Sequence, residues 1–164
     1  MPYLIAAFQR YSTDGAPPFR ALVLDAPNDK RLYSVDDQYM IGDRMMVAPL
    51  FAGEPSRKVV LPEGGWHDFW SGAPMSSGTE LTVPASTDRI PIYVKTGSII
   101  PWADVGQCAS TAETRRITAR VYGDGSIPFA LDADKTKLRL SWSHGHGSED
   151  GTIDYVVHTW QEFA

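Results

Sequence analysis

The strongest constraint in this sequence is a period of two. Ile117, Ala119 and Val121 alternate with Thr118, Arg120 and Tyr122, and Leu138, Leu140 and Trp142 alternate with Lys137, Arg139 and Ser141. Ile153, Tyr155 and Val157 continue the pattern. Alternation sorts side chains onto opposite faces of a strand, so each segment reads as a strand with one buried face. Upstream, Arg20 to Leu24, Met45 to Phe51, Arg57 to Leu61, Thr79 to Val83, Ile90 to Lys95 and Ser98 to Ile100 are short apolar or alternating runs. Turn residues part them at Pro62-Glu63-Gly64-Gly65, Ser71-Gly72 and Ser76-Ser77-Gly78. Short strands at such spacing predict a mainly β chain built as an antiparallel β-sandwich. One segment departs from this period. Tyr3, Leu4, Ala7, Phe8 and Tyr11 share a face at helical spacing, and Asp14-Gly15 followed by Pro17-Pro18 stops it, which predicts an N-terminal helix over 2–13.

Composition narrows the function classes. A complete (β/α)₈ barrel needs about 250 residues, and the chain has 164. Fifteen Lys and Arg against twenty Asp and Glu give a net charge of −5. With no basic run to meet a phosphate backbone, nucleic acid is not expected as a partner. No apolar run approaches the ~20 residues of a membrane span, and the N-terminus lacks a charged segment followed by a long apolar one, so no membrane partner is expected. Cys108 stands alone, excludes an internal disulfide and suits a reducing, cytoplasmic compartment.

Several pieces in fixed order resemble the region that follows the catalytic barrel in glycoside hydrolase family 31, the α-glucosidase and α-xylosidase family. They are the segment from Met1 to Phe8, the run Gly15-Ala-Pro-Pro-Phe-Arg-Ala-Leu-Val-Leu-Asp, and Asp36-Asp-Gln-Tyr-Met-Ile-Gly-Asp-Arg-Met-Met-Val-Ala-Pro. Two more follow, Arg57-Lys-Val-Val-Leu-Pro-Glu-Gly-Gly-Trp-His-Asp-Phe-Trp-Ser-Gly and Arg89-Ile-Pro-Ile-Tyr-Val-Lys-Thr-Gly-Ser-Ile-Ile-Pro. The resemblance covers about residues 1–102; beyond it, Val121-Tyr-Gly-Asp-Gly only loosely matches the start of the family's distal β domain. It implies residues 1–15 as a remnant of the last barrel helix, 16–102 as a proximal β-sandwich, 103–112 as a linker and 113–164 as a partial distal β domain. The family's retaining enzymes use two carboxylates about 5 to 5.5 Å apart. The resemblance places both on barrel strands, in motifs such as Trp-x-Asp-Met-Asn-Glu that this sequence lacks and that would precede Met1.

Each residue group that suggests chemistry has a structural reading beside it. Asp36-Asp37 is the obvious carboxylate pair, but neighbours in extended backbone point to opposite faces, and Asp37-Gln38-Tyr39 is expected to fix the turn into the strand after it. Trp66, Phe69 and Trp70 surround a Gly-Gly turn and are the candidate carbohydrate-binding residues, set against the reading that at least two fill the core; Trp102 is a similar case. His144 and His146 share a face if extended, with Glu149 and Asp150 nearby, yet Ser143 to Ser148 has neither period and reads as an exposed loop. Asp132-Ala-Asp134 begins like a calcium loop and lacks the rest of it. His67, His158 and Cys108 have no evident catalytic partner, and Gly123-Asp-Gly125 reads as a hairpin turn. No catalytic residue, metal or cofactor is therefore assigned.

By that resemblance the chain is the accessory C-terminal β region of a family 31 glycosidase, expected to hydrolyse nothing alone. The alternatives are a carbohydrate-binding module and a stand-alone, self-associating β protein. The expected partners are a carbohydrate, a separate catalytic barrel, or a second copy paired as a homodimer through the face of the N-terminal helix.

Overall fold

The computed structural model describes residues 2–76, 78–85, 88–103, 115–123, 128–133, 136–143, 146–150 and 155–163. The chain is mainly β, with several antiparallel sheets consistent with a β-sandwich and an N-terminal helix. Two compact units divide it: Pro17–Thr96, and Met1–Ala16 together with Gly97–Ala164.

In the 17–96 unit, β1 (Phe19–Ala21), β2 (Tyr39–Ile41), β3 (Met45–Val47), β5 (Trp66–Asp68), β6 (Pro74–Met75) and β8 (Ile92–Lys95) form a six-stranded antiparallel sheet in the order β1-β2-β3-β8-β5-β6. The second layer is a two-stranded antiparallel sheet of β4 (Ser56–Val60) and β7 (Glu80–Pro84), whose connection runs through β5 and β6 of the first. Met40, Met46, Trp66 and Tyr93 from the large sheet meet Val59 of the small one and Leu61 just after it, with Leu81 and Val83 against them. This shared apolar filling between two layers makes the unit a sandwich.

Two expected strands are shorter than their apolar runs. The run from Arg20 to Leu24 pairs only as far as Ala21, and Leu22–Asp25 is a helical turn, α2, that buries Leu22. Four consecutive apolar residues carry no period, and Arg20 bonding to Asp25 at 2.5 Å closes the turn. Met45 to Phe51 stops at Val47, because Pro49 has no N–H to give a ladder; Ala48 makes the last bond, donating to the Pro91 carbonyl at 3.0 Å.

In the other unit, α1 (Pro2–Asp14) ends where Gly15, at φ 75°, donates to the Tyr11 carbonyl. β9 (Ser98–Ala103), β10 (Arg115–Tyr122) and β14 (Tyr155–Phe163) form one sheet, with β10 central, antiparallel to β9 and parallel to β14. β11 (Phe129–Ala133), β12 (Thr136–Ser143) and β13 (His146–Asp150) form a second. The alternating residues Ile117, Ala119, Val121, Leu138, Leu140 and Trp142 are all buried, as period two requires. Tyr3 and Ala6 of α1 pack on this core, Tyr3 stacked on Phe129 at 6.4 Å, and the Asp132 N–H donates to Gln9. Phe8 and Tyr11, on the helix face read from the spacing, are exposed together with Ile5.

The segment Ser143 to Ser148, read as a loop, is mostly hairpin: Ser143 pairs with His146 and Trp142 with Gly147. Its described β13 side chains are exposed, so a strand polar on both sides left no alternation to read.

Candidate functional site

Asp36 and Asp37 have different surroundings. Asp36 is exposed, while Asp37 Oδ2 lies 2.6 Å from Arg57 Nη2. The Arg57 side chain is 2% exposed and also donates to the carbonyls of Asp37 and Pro49. Beside it, the buried Gln38 amide clasps the backbone of Val60, accepting from its N–H at 2.9 Å and donating to its C=O at 3.0 Å. Asp37 and Gln38 therefore tie the approach to β2 onto β4, where a local turn was expected.

The aromatic candidates separate. Trp66 is 1% exposed and its indole Nε1 donates to the Pro62 carbonyl at 3.0 Å, so the fold uses both its faces and its polar edge. Phe69 is buried too and meets Trp70 edge-to-face at 5.0 Å. Trp70 alone of the three is partly exposed, with the Arg89 guanidinium 5.6 Å over its ring. Trp102, in the other unit, has the Arg120 guanidinium 3.7 Å over it.

Asp68 positions Trp70. One carboxylate oxygen accepts from the N–H of Trp70 at 3.1 Å and from the N–H and hydroxyl of Ser71, each at 2.7 Å. Gly72, at φ 74°, closes the turn by donating to the Asp68 carbonyl. The Trp70 Nε1 then donates to the Ile90 carbonyl at 2.8 Å, which fixes the ring against the segment leading into β8. Asp68, Trp70, Arg89 and Tyr93 line a pocket of about 210 Å³, walled also by Val83 and Pro91. Burial, reinforced by the nearby Asp68 charge, pushes the Tyr93 phenol up to about 12, so it is a neutral hydroxyl at physiological pH. Sequence reading did not single out Asp68, Arg89 or Tyr93. Only strand pairing brings 68, 89 and 93 together, and no local spacing signals it.

The remaining candidates stay apart. His67 is buried, its Nδ1 3.0 Å from the Gly72 carbonyl. His146 is exposed, and Asp132 faces Lys137 at 3.7 Å. Cys108, His144 and Asp134 and the side chains of Glu149, Asp150 and His158 lie outside the described residues. Among the described residues no group of three His, Cys, Asp or Glu is placed to hold a metal, and no helix is long and apolar enough to cross a membrane.

Residues 15–100 match the model of the glycosyl hydrolase family 31 C-terminal domain. The chain belongs to glycoside hydrolase family 31. This family 31 chain is 37% identical over 102 residues to an isomaltosyltransferase of Sporosarcina globispora, covering 62% of itself and 9% of that protein. It is 34% identical over 174 residues to an α-xylosidase of Saccharolobus solfataricus, covering 88% and 23%. Among solved structures it matches a dextranase of Flavobacterium johnsoniae complexed with isomaltotriose at TM-score 0.76 and 30% identity, covering 87% of this chain and 20% of that one. An α-xylosidase of Xanthomonas citri shares the fold at TM-score 0.82 and 24% identity, over 99% and 20%. The chain thus spans less than a quarter of each of these proteins, and the catalytic barrel of the family is not in it.

Proposed function

We propose that this chain acts as the accessory β region of a family 31 glycosidase, bracing a barrel and its active-site loops while contributing no catalytic carboxylate. The observation that carries this reading is the family match over residues 15–100, a segment in which Asp37 of the adjacent aspartates is paired with Arg57. Retaining hydrolysis needs two carboxylates across one glycosidic bond. The names of the relatives point to α-glucosides and α-xylosides as the substrates of the enzyme it serves. Its partner in this reading is the barrel, met by the exposed Ile5, Phe8 and Tyr11 of α1.

Two measurements test it. The pure chain is assayed on aryl α-glucoside and α-xyloside, with no turnover expected; activity that survives repurification and disappears in Asp36→Asn with Asp37→Asn overturns the reading. Light scattering across a concentration series, repeated with Phe8→Glu, tests the helix face. Association of the isolated chain through that face is expected because no barrel covers it, and a monomer at every concentration removes α1 as the docking surface.

A further inference from the structure

We propose that the pocket framed by Asp68, Trp70, Arg89 and Tyr93 is a binding site for a single neutral pyranose ring, separate from any barrel active site. At about 210 Å³ it lies below the roughly 300–1,000 Å³ of pockets for drug-sized ligands, which suits one ring and not a chain of them. Its walls divide by chemistry. Trp70, Val83 and Pro91 offer apolar surface, and an indole face is the natural partner for the C–H side of a pyranose. Asp68 can only accept hydrogen bonds, Arg89 can only donate, and Tyr93 can do both, a set that matches hydroxyl groups around a ring.

Charge and rigidity point the same way. One carboxylate and one guanidinium line the pocket, so it favours neither an anion nor a cation. The Trp70 indole N–H is already held by the Ile90 carbonyl and the Arg89 guanidinium stands 5.6 Å over the ring, which leaves the face away from Arg89 as its means of recognition. The Asp68 turn fixes the backbone of Trp70 and Ser71, so little ordering remains for a ligand to impose. Tyr93 supplies an independent sign. It is 3% exposed, lines the pocket, and its hydroxyl makes no hydrogen bond to a described residue. That hydroxyl is not among the described buried polar atoms left without a partner, so it meets the water of the pocket, and a sugar hydroxyl can take the place of that water.

The preference for a sugar over other neutral polyhydroxylated rings rests on the family reading above, and the test keeps the two apart. The chain is titrated with methyl α-glucoside, xylose and myo-inositol by calorimetry, with thermal unfolding of each variant recorded alongside. Saturable binding of a pyranose is expected, weakened at least tenfold by Trp70→Ala and by Tyr93→Phe, and severalfold by Arg89→Ala. Tyr93→Phe keeps the aromatic packing and removes only the hydroxyl, so its loss of affinity at unchanged melting temperature marks direct contact. Absent pyranose binding, binding untouched by Tyr93→Phe and Arg89→Ala, or equal affinity for myo-inositol overturns the proposal. The family reading survives each of these, since it stands on the hydrolysis assay and not on the titration.

Discussion

Arg57 and Asp37 are joined at 2.6 Å across the 17–96 unit, and the pair is lopsided: the arginine side chain is 2% exposed and the aspartate 41%. The guanidinium is held by the Asp37 and Pro49 carbonyls as well as by the carboxylate, and it lies 5.5 Å over the Phe51 ring. Its burial depends on those neutral partners as much as on the charge. Asp37→Asn is therefore expected to cost under about 1 kcal/mol, as for a solvent-screened ion pair. Arg57→Ala leaves two carbonyls unpaired and is expected to cost about 2–4 kcal/mol. Urea unfolding of the two variants checks the asymmetry, and equal costs would contradict it.

The two tryptophans of the β5 region are expected to differ in the same experiment. Trp66 is fully enclosed, and Trp66→Ala removes that burial and leaves a cavity, at about 3–5 kcal/mol. Trp70 is partly exposed and contributes one bond to Ile90, so Trp70→Ala is expected to cost about 1–2 kcal/mol.

Tyr93 makes stability depend on alkaline pH. Its phenol ionises near 10 in the unfolded chain and near 12 in the folded one. Between those values the folded state holds more protons than the unfolded state, so stability present below pH 10 falls as pH rises toward 12. The loss is at most about 2 kcal/mol after allowance for solvent screening. Melting temperatures between pH 9 and 12 are expected to decline more steeply in the wild type than in Tyr93→Phe.

Gly65 is required for a close approach. A Cβ built there would stand 2.2 Å from the Thr96 hydroxyl oxygen and 2.8 Å from its Cβ, while the Thr96 N–H bonds to the Gly65 carbonyl at 2.9 Å. Gly65→Ala must break that bond or displace the start of the turn after β8, at about 1–3 kcal/mol. Gly65→Ala combined with Thr96→Gly is expected to recover most of the loss, because the clash is with the threonine side chain.

Local pattern by itself determined a mainly β chain and which residues of β10 and β12 face the core, through period two, and the N-terminal helix with its stop at Gly15, through helical spacing. Those properties are local, set by alternation and by the conformations Gly and Pro allow. Tertiary structure alone decided the rest. Whether Leu22 continues a strand or turns into α2 depends on Arg20 finding Asp25, and the apolar run looks the same either way. That β9 leaves the 17–96 unit to pair with β10, and that β10 also takes β14 in parallel, depends on which edges meet across long separations. Likewise the sequence marks Trp66, Phe69 and Trp70 as one aromatic cluster. Only the packing sends Trp66 into the core and gathers Asp68, Arg89 and Tyr93 around Trp70, because burial and cross-strand proximity belong to the assembled sheet and not to residue spacing.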